Sequence, residues 1–599
     1  MSSQDTIELA ACISARCYTP GTPLACGRTL HFGFFFDGFG RNLEDDLKEN
    51  RVSNIGKLFL AHELDTPNAP SDEFNAYRKT YLSGLGASFD ASLGVQAGGT
   101  LNRAVSEVAD IPGDIAGEQA LKGARDGLAG RSWWQRMQRE VGSLADKPWK
   151  ALKTLRDTLL NSAAEALEPI RDSRWSAALL KTGVDTRLEA ALAALNREIT
   201  NLNSGQMPLR TIKVSVFGFD FGATLARAFV HMLLERSQQR DGYAVYRNAR
   251  LEIIFAGLFD AVDRTAASVP PLEFFLPTTN VVEDGGLMPA QVRSVLHLVA
   301  AHERRFYRRV RLLGDARRGW REVLMPGVSE DIGGGIAPGE QKPSNELALV
   351  SLHQMYRAAS SAGASLVPME RLPAKGRVLA SLFTYNDRTP SRYSALGLAR
   401  RYQDWVGRGE PGHDAFLHHM RYYIRWLAHV WHAYHAELAE LGEREEQLYQ
   451  SQFAESSSLA RLFRVSGESA AQRQQRVEQT REIQRRRRQL HAEFRWLQDV
   501  DKEARDMRSR AQAYGVYAAP GQQTREIWEA LLGEWFQPQP LQPEIAELFG
   551  YFVHDLLVPS PLQRIGSAWF GGEDFFAIRG FDRPRGKQPA VQQTPVAAC

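Results

Sequence analysis

One stretch of sequence, residues 211–229 (TIKVSVFGFDFGATLARAF), constrains the fold more than any other part of the chain. Its apolar residues between positions 212 and 217 are typical of a strand buried in a sheet. A turn with the sequence Gly-Phe-Asp-Phe-Gly follows at residues 218–222, and residues 223–229 have the composition of a helix. The two glycines let the strand and the helix approach each other and allow a positive φ at the bend. The stretch therefore predicts a strand, a sharp turn and a helix.

The order of strand, Gly-x-X-x-Gly turn and helix is that of the nucleophile elbow of α/β-hydrolases. The middle position of the turn normally holds serine, and in this chain it holds Asp220. Further apolar runs at residues 30–36, 80–86 and 251–259 predict buried strands, the second of them ending in a turn. We therefore predict an α/β fold with an α/β-hydrolase-like, mostly parallel sheet that is flanked by helices and carries two large helical insertions.

Acidic residues follow two of the predicted strands. Asp37 comes directly after residues 30–36, and Asp260 directly after residues 251–259. In open α/β sheets ligands bind beyond the carboxyl ends of the strands, so both side chains are expected near an active site. Asp260 has the position of the acid in a Ser-Asp-His order. Asp37 has an alternative role as the cap of the next turn, and the sequence leaves both roles open.

The chain is too long, at 599 residues, for one hydrophobic core without insertions. Helix-forming residues dominate 94–201 and 376–520, which we interpret as insertions, the first a lid or a membrane-facing segment and the second containing a long helical hairpin. The core is then assembled from residues 29–93, 202–375 and 521–582. We expect residues 1–28 to be irregular and residues 583–599 to form a disordered tail.

Composition excludes several classes of protein. The sequence has no apolar run long enough to cross a bilayer and no secretory signal at its start, so we expect synthesis in the cytoplasm. Four cysteines are too few for a disulfide framework, and three of them, at positions 12, 17 and 26, do not have the spacing of a standard zinc site. The net charge of +3 is small for this length and indicates no acidic partner. We predict no cofactor, no metal and no nucleic-acid partner.

Two features of the second insertion have alternative interpretations. His429, His432 and His435 recur at helical spacing and could hold a metal, but no carboxylate or cysteine accompanies them in register, which favours a solvated helix face. The run of four arginines at residues 485–488 could bind phosphate groups. The glutamates that flank it favour a solvated face of a helical hairpin instead.

Several segments together resemble one family, the group 1 phospholipase effectors of type VI secretion. No single segment is specific, because a lone Gly-x-X-x-Gly is a weak motif, but the ordered set extends over most of the chain. The matching segments, in chain order, are residues 35–38, 81–86, 218–223, 226–229, 257–260, 300–306, 326–328, 331–335 and 553–555.

The resemblance implies a lipid esterase that is made in the cytoplasm and delivered by a secretion spike into a rival cell. It also implies a triad of serine, aspartate and histidine at the positions of Asp220, Asp260 and Ser329, of which only the acid is retained. We expect Asp37, Gly38 and Phe221 to form the substrate or oxyanion loop.

The two replacements create a chemical problem. An aspartate at the elbow can act as a nucleophile, as it does in epoxide hydrolases and haloalkane dehalogenases, but a histidine must then activate the water that hydrolyses the intermediate. Ser329 is not a general base. His554 is the first substitute candidate, followed by His302 and His297. Each of the first two has a structural alternative, His554 as a cap or brace of the C-terminal segment and His302 as a partner of Glu330 or Asp331.

Three hypotheses follow. The chain is a catalytically impaired effector that binds a lipid or a partner, an active ester hydrolase that uses Asp220 as nucleophile with a relocated histidine, or an adaptor of the secretion apparatus whose insertions form the binding surface. The partners that the resemblance implies are a type VI spike protein, an immunity protein and a phospholipid membrane surface. We expect a monomer.

Overall fold

The computed structural model describes residues 27–65, 74–85, 87, 168–204, 207–240, 242–262, 288–306, 308–314, 317–407, 409–456, 469–514, 522–557 and 573–583. Several predictions fall outside these ranges. They concern nearly all of the lead segment 1–28 with its cysteines, the part of the first insertion between residues 94 and 167, and the tail after residue 583.

The centre of the fold is an eight-stranded sheet. Six of its strands run parallel in the order β2-β1-β3-β6-β7-β9, and β5 and β4 extend it antiparallel from the start of β6. A separate pair is formed by β8 and β10. The strands are β1 Arg28–Phe36, β2 Asn75–Leu82, β3 Leu209–Phe219, β4 Gln238–Arg240, β5 Tyr243–Tyr246, β6 Ala249–Phe259, β7 Val295–Ala300, β8 Val310–Arg311, β9 Trp320–Met325 and β10 Phe581–Asp582.

Helices lie on both faces of the sheet, and a short 3₁₀ turn at Met369–Arg371 precedes α7. The described helices are α1 Leu43–Lys48, α2 Asn54–Ala61, α3 Glu168–Asn203, α4 Phe221–Glu235, α5 Ser329–Gly333, α6 Leu347–Ala362, α7 Leu372–Lys375, α8 Arg377–Ser381, α9 Ala395–Val406, α10 His413–Ser456, α11 Ala470–Tyr514, α12 Gln522–Phe536 and α13 Pro543–Tyr551. The fold is therefore mixed α/β with a mainly parallel central sheet, as predicted.

The position of β2 differs from the sequence prediction. We predicted a strand and turn over residues 80–86, whereas β2 begins at Asn75 and ends at Leu82. Among the described strands, β2 lies at the edge of the sheet and pairs only with β1, in register from Thr29–Asn75 to Phe36–Leu82. Its half-exposed first residues include Arg78 and Lys79, and such polar residues are common on an edge strand, so the apolar signal covers only its end.

Alternate residues of the parallel strands enter two cores on opposite faces of the sheet. Phe35, Phe217 and Phe255 belong to the first core, which continues without a break into α9, α10, α12 and α13. Phe34 and Val216 belong to the second, together with α3 and α4. Of these helices, α9 and α10 belong to the predicted second insertion, and they pack in the same core as one face of the sheet.

Two long helices, α10 and α11, pack against each other as a pair. At ~1.5 Å per residue, the 44 residues of α10 extend about 66 Å. Ion pairs join Arg486 to Glu437 and Arg487 to Glu445, so two of the four consecutive arginines are engaged within the pair. His429, His432 and His435 are exposed on α10. Among the described residues no cluster of metal-binding side chains is present, and no described helix has both the length and the apolarity of a bilayer span.

Candidate functional site

Three aspartates follow the carboxyl ends of three neighbouring strands. Asp37 follows β1, Asp220 follows β3 and Asp260 follows β6. All three are buried, with exposed fractions of 2%, 1% and 0%. Because β1 and β6 both pair with β3 in parallel, the sheet presents the three carboxylates along one edge. This is the edge at which α/β folds bind ligands.

The turn at Asp220 is sharp. Asp220 has φ 54° and ψ −127°, a strained conformation for a residue with a side chain. The turn is held by backbone hydrogen bonds from Asp220 N to Phe259 O (3.0 Å) and from Val262 N to Asp220 O (3.2 Å). Asp260 also has a positive φ, 49°. Strain of this kind persists only where the surrounding structure imposes it.

The two glycines of the turn are required by close backbone contacts. A Cβ atom on Gly222 would lie 2.3 Å from Asp37 O and 2.5 Å from Phe36 O. A Cβ atom on Gly218 would lie 2.4 Å from the Cα atom of Ala223. The start of α4 therefore lies directly against the end of β1, which explains the spacing of the glycines seen in the sequence.

The carboxylate of Asp220 faces a backbone amide and a guanidinium. The N–H of Phe39 donates to Asp220 Oδ2 over 3.4 Å, a long hydrogen bond. Arg308 Nη1 lies 3.8 Å from Asp220 Oδ1, and both side chains are almost completely buried. The loop after β1 thus turns a backbone N–H toward Asp220.

Arg308 connects Asp220 to further buried charges. Its Nη2 atom lies 2.8 Å from Glu330 Oε1, and Arg305 Nη2 donates to Glu330 Oε2 over 2.6 Å. Arg305 also donates twice to Glu303, over 2.8 and 2.7 Å. Burial disfavours the charged form of Glu303, but the guanidinium groups of Arg305, Arg308 and Arg579 hold its pKa below the usual range. We call Asp220, Asp260, Glu303, Glu330, Arg305, Arg308 and Arg579 the ionic network.

Asp260 is bound on both carboxylate oxygens. Arg579 donates to Oδ1 over 2.8 Å and to Oδ2 over 2.9 Å, and the N–H of Ala300 donates to Oδ1 over 2.9 Å. The same guanidinium donates to the backbone oxygens of Ala300 and Arg308. Such a bidentate pair is the strong form of an arginine–carboxylate contact. Asp260, to which the resemblance assigns the role of triad acid, is therefore paired with an arginine.

Ser329, where the resemblance in the sequence implies a histidine, begins α5. Its N–H lies 3.3 Å from Glu303 Oε2, and the residue is completely buried. Its hydroxyl has no hydrogen-bond partner in the part of the chain that the structure describes. The next residue, Glu330, is the one that reaches Arg308 and, through it, Asp220.

The ring of His554 contacts residues other than Asp220. Its Nδ1 atom lies 2.6 Å from Asp331 Oδ1, and its Nε2 atom lies 3.1 Å from Glu340 O. Its backbone N–H also donates to Asp331 Oδ2. Both ring nitrogens thus face acceptors away from Asp220, and the residue braces the C-terminal segment against α5.

The other two candidate histidines are also engaged. His302 accepts from the N–H of Gly327 at Nδ1 (2.9 Å), and its Nε2 atom lies 3.3 Å from the hydroxyl of Tyr402 rather than beside Glu330 or Asp331. His297 accepts from the N–H of Ala261 at Nε2 (3.0 Å) and faces Glu322 at Nδ1 (2.8 Å). Burial lowers the pKa of both imidazoles, which favours their neutral forms.

Asp37 is held by three donors. They are the N–H of Gly38 (2.7 Å) and the hydroxyls of Ser53 (2.7 Å) and Tyr81 (2.6 Å). Burial raises the pKa of the Asp37 carboxyl, and the three hydrogen bonds oppose that shift. Phe221, the third residue predicted for the oxyanion loop, is buried as the first residue of α4. Asp37 thus ties β1, α2 and β2 together at the edge where the elbow lies.

A cavity of about 290 Å³ borders the ionic network at Glu330, beside Asp331 and the glycines of residues 334–335. Neither Asp220 nor Asp260 lines it. Lys57 and Glu346 do, and burial lowers the pKa of Lys57 to about 8 and raises that of Glu346. The cavity approaches the network from the side of α5 and does not open on the elbow.

Sequence reasoning missed the arginines of the ionic network. Arg305 and Arg308 follow β7 closely, and Arg579 lies 319 positions after its partner Asp260. The only signal available was the concentration of charges directly after an apolar run, Glu-Arg-Arg at residues 303–305. Charges at that place must be paired if they are buried, because an isolated buried charge is strongly unfavourable.

No protein-family profile and no curated protein matches the chain. Among solved structures, an uncharacterized protein from Pseudomonas aeruginosa matches 97% of this chain and 82% of its own, with a TM-score of 0.53 and 18% identity. The Tle1 effector bound to the VgrG spike of the type 6 secretion system matches 61% of this chain and 83% of its own, with a TM-score of 0.32 and 17% identity. The first likeness shows a shared fold, and the second is too low to establish one.

Proposed function

We propose that this protein is an effector-like relative of the group 1 type VI secretion phospholipases with an α/β-hydrolase-like fold, and that it acts by binding rather than by hydrolysis. The ordered motifs in the sequence support the relationship. The mainly parallel sheet and the strained turn at Asp220, between β3 and α4, support the fold.

One observation carries the non-catalytic part of the proposal, namely the bidentate pair between Arg579 and Asp260. A triad acid works by accepting a hydrogen bond from the histidine and stabilising the imidazolium. Both oxygens of Asp260 already accept from one guanidinium, which pairs the charge that would otherwise stabilise an imidazolium. Displacing the arginine would leave its charge buried and unpaired, which is strongly unfavourable.

The alternative is an ester hydrolase in which Asp220 attacks as a carboxylate, and the strained turn at Asp220 favours it. Two features oppose it. Arg308 and the N–H of Phe39 stabilise the carboxylate where it stands, which reduces its tendency to attack. His554, His302 and His297, the imidazoles that could activate water for the second step, all have partners of their own.

We propose the same partners that the family resemblance implies. The protein is made in the cytoplasm, associates with a spike protein, and is delivered to a target cell, where an immunity protein or a phospholipid surface meets it. An adaptor that remains with the secretion apparatus is the competing function. The paired helices α10 and α11 offer a long surface for either role.

The experiment that tests this proposal is a hydrolysis assay on a panel of phospholipids and short-chain esters, with the Asp220→Ala variant as control. We expect the same background rate for both proteins. Hydrolysis that disappears in the variant would establish the active enzyme instead. Expression in the periplasm separates the two binding roles, because toxicity there supports an effector and its absence supports an adaptor.

A further inference from the structure

A second cleft, of about 440 Å³, lies at the opposite edge of the sheet from Asp220. The residues that line it come from the amino ends of β7 and β9 and from the last turns of α6, with Phe255 of β6 at its floor. They are Phe255, Ser294, Val295, Leu296, Gly319, Arg321, Gln354, Arg357, Ala358, Ser361 and Ala362. The cleft is therefore separate from the ionic network and from the cavity beside α5.

The cleft is basic. Its two charged lining residues are both arginines, Arg321 on β9 and Arg357 on α6, and no carboxylate lines it. Both arginines are exposed, and neither makes a hydrogen bond or an ion pair with any residue in the ranges that the structure describes. Two guanidinium groups that share a cleft without a counter-charge repel each other. A bound anion would remove that repulsion.

The remaining polar residues of the cleft add hydrogen-bond donors. Gln354, Arg357 and Ser361 recur at a spacing of three and four, so they share one face of α6. Ser294 contributes a hydroxyl from the strand side. A planar guanidinium with fixed N–H groups matches the oxygens of a phosphate, and hydroxyl and amide groups can complete the set of donors.

Further arginines surround the cleft. Arg317 and Arg318 lie in the turn before β9, next to the lining residue Gly319, and the guanidinium of Arg317 lies 5.2 Å from the ring of Trp320. Arg293 donates to Ala362 O over 2.9 Å at the C-terminus of α6. That contact offsets the negative end of the helix dipole, which would otherwise disfavour an anion there.

We propose that this cleft binds a phosphate group, carried either by a free phosphate compound or by an anionic phospholipid. The arginines that line and surround the cleft give it a positive electrostatic potential, which attracts an anion. The volume of the cleft is large enough for a phospholipid headgroup. This site does not depend on the proposed function of the elbow, because it shares no residue with the ionic network.

The test uses the full chain and a double variant, Arg321→Gln with Arg357→Gln. The control is Arg481→Gln with Arg485→Gln, two exposed arginines of α11 that remove the same charge far along the chain from the cleft. Pyrophosphate is titrated calorimetrically, and flotation is measured with vesicles of phosphatidylglycerol and of phosphatidylcholine. Circular dichroism checks that all three proteins are folded, which we expect because the four side chains are exposed.

We expect the wild-type protein and the control to bind at least one of the two phosphate probes, and the cleft variant to bind it roughly tenfold more weakly or worse. Binding to pyrophosphate alone identifies a free phosphate compound. Binding to phosphatidylglycerol vesicles and not to phosphatidylcholine vesicles identifies an anionic headgroup. The proposal is overturned if the wild-type protein binds neither probe, or if the cleft variant and the control bind equally well.

Discussion

Arg579 and Asp260 are joined by two parallel hydrogen bonds of 2.8 and 2.9 Å, and neither side chain is exposed to solvent. The pair links a C-terminal segment to the end of β6 across 319 positions of sequence. It therefore does two things at once. It holds residues 573–583 against the sheet, and it engages the carboxylate to which the resemblance assigns the role of triad acid.

Replacing Arg579 tests the structural role of this pair. Arg579→Met leaves the Asp260 carboxylate buried without its counter-charge, so we expect the free energy of unfolding to fall by about 3–5 kcal/mol in chemical denaturation. The control is Arg505→Met, an exposed arginine paired with Asp501 on the surface, for which we expect a loss below about 1 kcal/mol. Equal losses in the two variants would show that the buried pair has no special role.

Introducing the serine and the histidine that the resemblance implies at positions 220 and 329 is not expected to produce catalysis. We expect the variant with Asp220→Ser and Ser329→His to hydrolyse phospholipids and esters at the background rate. The reason is that Arg579 still binds Asp260, and removing the Asp220 carboxylate takes away one of the anions beside the buried Arg308. The assay is the same as for the wild-type protein, with thermal melting as a check on folding. Activity well above background would mean that the ionic network rearranges readily.

Gly222 and Gly533 allow a matched test of packing, because the first lies against backbone atoms and the second lies in open space. Gly222→Ala places a methyl group 2.3 Å from Asp37 O, and we expect a destabilisation of about 3 kcal/mol or failure to fold. Gly533→Ala lies in the exposed face of α12, where a Cβ atom meets nothing within 4 Å, and we expect a stabilisation of about 0.5–1 kcal/mol. Thermal melting measures both. A neutral Gly222→Ala would contradict the close packing of α4 on β1.

The buried carboxyl of Asp46 is expected to make the stability of the protein depend on pH. Burial, only partly opposed by Arg41, raises the pKa of Asp46 to about 7 in the folded protein, from an ordinary value of 3.8. Folding therefore favours the protonated form, and Asp46 makes the protein progressively less stable as the pH rises from about 4 to 7. We expect Asp46→Asn to raise the free energy of unfolding by about 1–3 kcal/mol at pH 8 and to change it little at pH 4.

The neighbouring residue supplies the control for that measurement. Asp45 is exposed and pairs with Lys48 on the surface of α1. Asp45→Asn should change stability by less than about 0.5 kcal/mol at either pH. If Asp46→Asn and Asp45→Asn follow the same pH curve, Asp46 is ionised in the folded protein as it is in the unfolded chain.

The central strands of the sheet and the turn at Asp220 could be predicted because each is indicated by its own short stretch of sequence. An apolar run that ends in Gly-Phe-Asp-Phe-Gly needs no distant partner to be recognised, and β3, β6 and α4 lie where the sequence indicates. The start of β2 could not be found in the same way. Its polar residues are tolerated because the strand lies half exposed at the edge of the described sheet, and its pairing with β1 is not visible in the strand's own sequence.

The hydrogen-bond partners of the candidate site residues could not be predicted from the neighbouring sequence, because they lie far away along the chain. Asp331 is 223 positions from His554, and the hydroxyl of Tyr402 is 100 positions from the ring of His302. Residue type alone does not tell a buried arginine from an exposed one, so the sequence pointed to histidines as the chemistry around Asp220. In the structure the carboxylate of Asp220 instead lies beside Arg308, which also pairs with Glu330.

The central claim is that Asp220 is a structural anion of a buried network and not a nucleophile. The most direct measurement is the steady-state rate of phospholipid and ester hydrolysis by the wild-type protein beside Asp220→Asn, which keeps the size of the side chain and removes its charge. The account predicts one background rate for both proteins and a lower melting temperature for the variant, because Arg308 loses part of its counter-charge. Hydrolysis by the wild-type protein that is lost in a folded Asp220→Asn variant would contradict it.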